Sequence, residues 1–224
     1  MRVVERVRRA AGGARCGHAG TLDPLASGVL VVALGRATRQ IEALMAGPKR
    51  YETEVDLSAT TATLDSEGEL QPVRVECEPS RDDLERALAT MRGTFAQRPP
   101  AFSAVKIGGR RAYALARRGA AEEPPPRSVT VHELEIDDFR YPLVRLRIRC
   151  DKGVYVRNFA RDLGLALGTG GYCRSIRRTA VEPYTLSDAL PLDELPERLG
   201  PEHLLSCVPG SGGHPGETAG EDGG

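Results

Sequence analysis

Residues 17–34 constrain the fold of this chain more than any other stretch. They begin with the string Gly-His-Ala-Gly-Thr-Leu-Asp-Pro, residues 17–24, and end with an apolar run, residues 29–34. Pro24 fixes its own φ angle and keeps Asp23 out of the helical region. The length and β-branched content of the apolar run predict a buried strand. The sequence therefore places Asp23 on a restrained loop beside a buried strand, where catalytic groups are often held.

An Asp-Pro pair taken alone is commonly a turn or the start of a helix. The longer string Gly-His-Ala-Gly-Thr-Leu-Asp-Pro-Leu-Ala-Ser-Gly-Val-Leu, residues 17–30, resembles the catalytic motif of the TruB-type tRNA pseudouridine synthases. The resemblance implies that Asp23 is the essential carboxylate and that His18 lies against the RNA.

A second resemblance begins at Lys-Arg-Tyr, residues 49–51, which opens a strand of alternating pattern through residue 57. In the family the tyrosine of this element, here Tyr51, stacks on the target base. A base removed from its helix loses stacking, and an aromatic ring restores about 1–3 kcal/mol of it. The alternative is that Tyr51 is a core aromatic residue at the edge of a strand.

Residues 151–159, Asp-Lys-Gly-Val-Tyr-Val-Arg-Asn-Phe, resemble the family motif Ser/Asp-Lys-Gly-Thr-Tyr-Ile-Arg. The resemblance implies that Arg157 pairs with Asp23 and that Tyr155 lies beside the base. A guanidinium would orient the carboxylate and stabilise its negative charge. Read as a strand, the two-residue spacing puts Tyr155 and Arg157 on the same side. The alternative is that Arg157 forms a surface ion pair. Residues 173–181 resemble the family's Leu-Arg-Arg strand, which implies that Ile176 walls the base pocket.

Residues 97–119 combine basic side chains with two aromatic ones, Phe102 and Tyr113. This segment resembles the family's mobile insertion, which closes over the RNA arm, and we place the insertion at about 98–127. The four-residue spacing of Tyr113 and Arg117 predicts that both lie on one side of a short helix.

Charge is distributed unevenly along a chain whose net charge is zero. Residues 52–85 hold eleven acidic and two basic side chains, whereas residues 86–121 hold eight basic side chains and no acidic one. Residues 139–182 hold ten basic and three acidic side chains. Because phosphate binding depends on the local field, a neutral protein can still present a basic face to RNA. The alternative is that these arginines only solvate helix faces.

The cysteines and the apolar runs exclude several classes of protein. The five cysteines are scattered and form no Cys-x-x-Cys pair, which predicts neither a zinc site nor a disulfide framework and fits a reducing cytoplasm. The longest apolar runs are too short to span a bilayer, and the basic N-terminus carries no signal-peptide pattern. We therefore expect no membrane partner, no metal and no cofactor.

The resemblance implies an α+β protein with the pseudouridine synthase fold, in which helices flank a mixed, mostly antiparallel sheet that carries an inserted RNA-gripping segment. Residues 1–205 are expected to form the catalytic domain, N-terminally short and without the C-terminal RNA-binding domain of many relatives. Residues 206–224 are rich in Gly and Pro, which predicts a disordered tail.

The implied activity is isomerisation of uridine to pseudouridine at position 55, in the T arm of tRNA, by a cytoplasmic monomer. The expected site consists of Asp23 as nucleophile or base, Arg157 as its partner, Tyr51 and Tyr155 at the base, and His18 and Ile176 shaping the pocket. Two other functions stay open at this point: a non-catalytic protein that binds or folds tRNA, and a carboxylate-based hydrolase of a sugar substrate. The hydrolase would need a second catalytic carboxylate near Asp23.

Overall fold

The computed structural model describes residues 2–100, 102, 106–107, 110–111 and 124–206. The helices of this part of the chain are α1 (Arg2–Ala10), α2 (Ile41–Ala46), α3 (Arg81–Ala89) and α4 (Val156–Leu167). The strands are β1 (Cys16–His18), β2 (Ser27–Gly28), β3 (Val32–Leu34), β4 (Lys49–Asp56), β5 (Ala59–Thr60), β6 (Gln71–Pro72), β7 (Gly93–Gln97), β8 (Lys106–Ile107), β9 (Arg110–Arg111), β10 (Arg127–Arg140), β11 (Leu143–Cys150), β12 (Tyr172–Val181) and β13 (Tyr184–Thr185).

Two sequence predictions fall outside the described residues. They are the tail, of which only Ser206 is described, and the short helix expected to carry Tyr113 and Arg117.

A seven-stranded sheet in the order β13-β12-β4-β11-β10-β7 organises the fold, with β2 added beside β12. The pairing of β2 with β12 is parallel, and the other pairings in this sheet are antiparallel. The predicted α+β class, with helices packed on a mixed and mostly antiparallel sheet, is confirmed. The sheet brings β4, β12 and the loop before β2 together, although these segments are far apart in the sequence.

Alternation along β11 separates an apolar face of the sheet from a charged one. Val144, Leu146 and Ile148 are buried in the core, which also takes in leucines of α3 and α4. Burying aliphatic side chains of this size stabilises the fold by about 1.5–3 kcal/mol each. The core thus fixes α4, the helix that carries Arg157, against the sheet.

The opposite face of β11 carries three arginines, and each of them is paired. Arg145 binds Glu54 at 3.1 Å, Arg147 binds Glu135 at 3.3 Å and Arg149 binds Glu182 at 2.9 Å. Glu54 lies on β4, Glu135 lies on β10 and Glu182 directly follows β12, and these carboxylates neutralise three of the ten basic side chains of residues 139–182. These three arginines therefore form ion pairs within the protein, and a basic face for RNA stays a prediction.

The apolar run at residues 29–34 does not form one strand, so that prediction is wrong in part. Gly28 adopts a φ of 98° at the end of β2, and the chain turns away from β12 there. The Val29 amide donates to the carbonyl of Arg178, and its carbonyl accepts from the Arg178 side chain. Only Val32–Leu34 pairs as a strand, with β1. The run links two sheets, and Val29 and Ala33 are buried while its other residues are partly exposed.

Within the described residues, no helix has the length and apolar content needed to cross a bilayer.

Glu182 pairs with Arg50 of β4 and Arg149 of β11, so it allows the contribution of these surface ion pairs to stability to be measured. It accepts hydrogen bonds from Arg149 and Arg50, and the Arg149 guanidinium, aided by Arg50, lowers the pKa of the Glu182 carboxyl to about 2. This stabilisation is therefore fully present above about pH 4.5 and is lost as the pH falls towards 2.

We expect Glu182→Gln to lower the free energy of unfolding by about 1–3 kcal/mol at neutral pH. The difference from the unsubstituted protein should shrink between pH 4.5 and pH 2. Urea denaturation at a series of pH values measures it. The matched control is Glu133→Gln, because Glu133 approaches the same Arg149 only at 4.0 Å and is half exposed. A difference that stays constant with pH would contradict the assignment.

Candidate active site

Asp23 lies on the loop between β1 and β2. Its carbonyl accepts a hydrogen bond from the Ala26 amide at 2.9 Å, which closes a turn around Pro24. Its side chain is 37% exposed, and Oδ2 accepts a hydrogen bond from Nε of Arg157 at 2.9 Å. Among the residues that the structure describes, none donates a hydrogen bond to Oδ1. The carboxylate is therefore held through one oxygen and open to a ligand through the other.

Arg157 lies in the first turn of α4 and its side chain is only 5% exposed. Besides Asp23, its guanidinium binds Oδ2 of Asp65 at 3.2 Å and the carbonyl of Thr63 at 2.8 Å, both through one nitrogen. The remaining nitrogen donates to the carbonyl of Phe102 at 3.0 Å. A charge this deeply buried is stable only when it is paired and hydrogen-bonded. Arg157 thus joins the Asp23 loop, the Asp65 loop and the start of the insertion.

Asp65 is almost completely buried and is itself held firmly. Its Oδ1 accepts hydrogen bonds from the Thr63 hydroxyl at 2.6 Å and from the Glu67 amide at 3.1 Å. Between Thr63 and Asp65, Leu64 has a φ of 63°, in the left-handed region that costs a non-glycine residue about 1–2 kcal/mol. This turn directs a carbonyl and a carboxylate to the same guanidinium. The local strain is offset by two bonds to a buried cation.

Tyr155 and Arg157 do not lie on a strand, so the geometric argument for their common side is wrong. The helix begins at Val156, so Arg157 is helical while Tyr155 is the extended residue before the helix, and the alternation of a strand does not relate the two side chains. The backbone of Tyr155 is fixed by Gln97, whose side chain accepts from the Tyr155 amide at 2.8 Å and donates to its carbonyl at 3.3 Å. Gln97, the last residue of β7, thereby links this strand to the start of α4, one residue before Val156.

Tyr51 lies on β4 and is the cross-strand neighbour of Arg178 on β12. Burial raises the pKa of the Tyr51 hydroxyl, while the nearby Arg178 guanidinium opposes part of that rise and the Asp23 carboxylate adds slightly to it. Tyr51 is partly buried and packs against the main core, and its stacking on a base stays a prediction.

Arg178 is the largest of the fully buried side chains in the described part of the chain. Its three nitrogens donate to three backbone carbonyls, those of Val29 at 2.8 Å, Thr21 at 3.3 Å and Gly20 at 3.1 Å. These residues flank Asp23 on both sides. The backbone of the loop is therefore bound by one arginine and its carboxylate by another.

His18 and Ile176 make no hydrogen bond to Asp23 or Arg157 in the described structure. His18 lies on β1 beside a groove of about 720 Å³ between β1 and α1, and its Nδ1 is buried with no partner among the described residues. Ile176 is 3% exposed and belongs to the main core. The structure gives Ile176 a packing role, and its place beside a base stays a prediction.

Sequence reasoning missed Asp65, Gln97 and Arg178. One signal for Asp65 is present: the tripeptide Thr-Leu-Asp at residues 21–23 recurs at residues 63–65. Both of these aspartates bind Arg157. A repeated tripeptide is a weak signal alone, and Gln97 and Arg178 leave no comparable trace because their bonds go to the backbone.

The site has the parts for carboxylate chemistry. Within the described residues, no group of three or more His, Cys, Asp or Glu side chains could hold a metal ion. Burial raises the pKa of Cys150 and of Cys173 to about 12, which makes both thiols poor nucleophiles. An oriented carboxylate with an open oxygen can act as a nucleophile or as a base on a bound substrate.

Comparison with known proteins gives relatives over most of the chain. The sequence pattern of the TruB family pseudouridylate synthase N-terminal domain matches residues 8–156. The tRNA pseudouridine synthase B of Thermobifida fusca (strain YX) is 45% identical over 201 residues, covering 86% of this chain and 69% of that protein. The tRNA pseudouridine synthase B of Pseudomonas syringae pv. syringae is 43% identical over 195 residues, covering 86% of this chain and 63% of that protein.

Solved structures share the fold. A chain in the crystal structure of a Cbf5-Nop10-Gar1 complex superposes with a TM-score of 0.62 at 28% identity, covering 82% of this chain and 45% of that chain. A chain in the structure of an H/ACA RNP bound to a substrate RNA containing 2′-deoxyuridine gives 0.59 at 25% identity, with 82% and 44% covered. This chain thus spans about two thirds of the curated relatives and less than half of these solved chains.

The two carboxylates on Arg157 should differ in their contribution to stability. Among the described residues, Asp65 is the one buried carboxylate that binds Arg157, and we expect Asp65→Asn to lower the free energy of unfolding by about 2–4 kcal/mol. Asp23→Asn removes a half-exposed partner and should cost less than about 1 kcal/mol. Urea denaturation at neutral pH measures both. Equal losses, or a larger loss for Asp23→Asn, would show that Asp65 does not anchor Arg157.

Proposed function

Because this chain belongs to the TruB family of pseudouridylate synthases, we propose that it isomerises uridine to pseudouridine in tRNA, at uridine-55 of the T arm. The observation that carries the proposal is the Asp23 carboxylate, held through Oδ2 by a buried arginine and open at Oδ1. The curated relatives named tRNA pseudouridine synthase B support tRNA as the substrate class.

The reaction conserves atoms and needs no oxidant or reductant. The bond between C1′ of the ribose and N1 of the uracil breaks, the ring turns, and a bond forms between C1′ and C5. The proton leaves C5, and N1 ends with a proton. Asp23 serves as the nucleophile or the base in this sequence, and either role uses its open oxygen.

The neighbouring residues fix the geometry of that carboxylate and of the substrate base. Arg157 sets the orientation of Asp23, and Asp65 keeps Arg157 in place. Tyr51 stacks on the uracil once the nucleotide leaves its helix, which restores lost stacking energy. We assign Tyr155 and Ile176 to the sides of the base pocket and His18 to the RNA.

We assign the basic insertion at about 98–127 to gripping the RNA. Two described residues near its start, Arg98 and Phe102, are hydrogen-bonded to residues of α4. Nε and Nη atoms of Arg157 reach both Asp23 and Phe102, and the Asn158 amide donates to the carbonyl of Arg98 at 2.7 Å. The scattered cysteines suit a reducing cytoplasm. A cytoplasmic monomer that acts without a metal or cofactor stays a prediction.

The decisive experiment measures isomerisation on an unmodified tRNA transcript labelled with tritium at C5 of uridine. Forming the bond from C1′ to C5 releases that tritium to water. We expect release at a single site, mapped to the T-arm uridine, and a loss of about 1000-fold or more in Asp23→Asn. A transcript with cytidine at position 55 is the substrate control and should give no release.

The outcomes separate the proposals. Product at another uridine would keep the chemistry and correct the position. A chain that binds the transcript but releases no tritium, with Asp23→Asn binding equally well, would support the alternative of a non-catalytic protein that binds or folds tRNA. Absence of both binding and release would contradict both functions.

The stacking role of Tyr51 can be tested with two substitutions. Tyr51→Leu removes the ring and should lower the single-turnover rate by about 10- to 100-fold, since stacking contributes about 1–3 kcal/mol. Tyr51→Phe keeps the ring and is the matched control, which should retain most of the rate. Equal losses in both variants would assign the contribution to the hydroxyl beside Arg178 instead.

A further inference from the structure

Arg178 is a buried cation whose position the proposed chemistry does not by itself explain. Within the described residues, no carboxylate lies at salt-bridge distance from its guanidinium, and its bonds go to the carbonyls of Gly20, Thr21 and Val29. Burying a charge on neutral partners is expensive. Such an arrangement persists when the carbonyls themselves have to be held in place.

On its C-terminal side, the loop that carries Asp23 is also held by Leu25 and Ala26, which pack against the main core. Between β1 and β2 its own backbone provides the turn from Ala26 to Asp23, and Ala19 is bonded to Val31 at its base. No regular element covers residues 21–23. On the N-terminal side of Asp23, the position of the backbone therefore depends on the carbonyls of Gly20 and Thr21 that Arg178 binds.

The contact between the loop and β12 is also sterically close. The Val29 amide donates to the carbonyl of Arg178 at 2.8 Å, so the residue binds the loop through its backbone as well as its side chain. A Cβ built on Gly28 would lie 2.2 Å from that same carbonyl oxygen. The loop is thus seated directly on the strand at Arg178.

We propose that Arg178 is a positioning residue for Asp23: its guanidinium fixes the backbone on both sides of the aspartate and so sets where the carboxylate meets the substrate. This inference rests on the proposed function, since it concerns the reactivity of Asp23. Arg178 is also the neighbour of Tyr51 on the adjacent strand, so the residue that binds the Asp23 loop lies next to the aromatic residue assigned to the base.

A guanidinium is required for this role because the three carbonyls lie in different directions. Its planar fork donates from three nitrogens at once, whereas a lysine ammonium presents its donors at a single atom on a flexible stem. Arg178→Lys keeps the charge and loses the fork. A displacement of about 1 Å at a reacting group can cost about 100-fold in rate.

The test compares Arg178→Lys with Arg177→Lys, the adjacent and exposed arginine on the same strand. We expect Arg178→Lys to lower the single-turnover rate at saturating tRNA by about 10- to 100-fold while the dissociation constant for tRNA changes less than threefold. Arg177→Lys should keep its rate. This separation of rate from affinity is not expected of a residue that only supports the fold.

Gly20→Ala perturbs the contact between Gly20 and Arg178 from the side of the loop. It tests the proposal even if Arg178→Lys does not fold. Gly20 has a φ of 102°, which an alanine adopts only with strain, so Gly20→Ala displaces the carbonyl that accepts from Arg178. The added Cβ would lie 3.5 Å from the Arg178 guanidinium, an ordinary van der Waals contact, so the substitution does not press on the buried arginine. A reduced rate with retained tRNA affinity supports the proposal.

Three results would overturn the inference. They are a rate within threefold of the unsubstituted protein in Arg178→Lys, losses of rate and affinity in equal proportion, and an unchanged rate in Gly20→Ala. The unsubstituted chain must release tritium in the same assay. If it does not, the proposed function fails, and that failure is distinct from a failure of the role given to Arg178.

Discussion

The ion pair between Arg157 and its two aspartates is the interaction on which the site depends. The side chain is only 5% exposed, so its charge has to be matched from within the protein. The partners come from far along the chain, since Asp65 and Asp23 lie 92 and 134 residues before it. Because one guanidinium needs both loops, the Asp23 loop, the Asp65 loop and the start of α4 must assemble together.

The sheet separates the arginines of this chain into two groups, one at the surface and one buried at the Asp23 loop. On the outer face, the arginines of β11 pair with carboxylates of β4, of β10 and of the residue after β12, and are neutralised at the surface. On the inner side, Arg157 and Arg178 are buried and are directed to the Asp23 loop. Alternation along the strands and the placement of α4 decide which arginines bind the Asp23 loop. A count of charges along the sequence does not distinguish these arginines from those at the surface.

The fold class and the pairing of Asp23 with Arg157 could be predicted from the sequence because long motifs carry them. The strand assigned to residues 29–34 failed because continuous apolar character does not reveal a chain that crosses between two sheets. The strand assigned around Tyr155 failed for a related reason. Val-Tyr-Val has strand propensity, but Gln97 caps the backbone of Tyr155 and tertiary packing starts a helix at Val156. Asp65 and Arg178 were missed because their partners are defined only by the folded chain.

A catalytic carboxylate has two requirements that conflict. Under the proposed function, Asp23 must be accessible to RNA, which excludes deep burial, and it must be held more firmly than an exposed loop allows. Here the conflict is resolved by dividing the restraints. Arg157 takes one carboxylate oxygen and Arg178 takes the flanking backbone, while Asp23 stays 37% exposed with its second oxygen open. The rigid parts are buried arginines on α4 and β12, so the loop itself can remain at the surface.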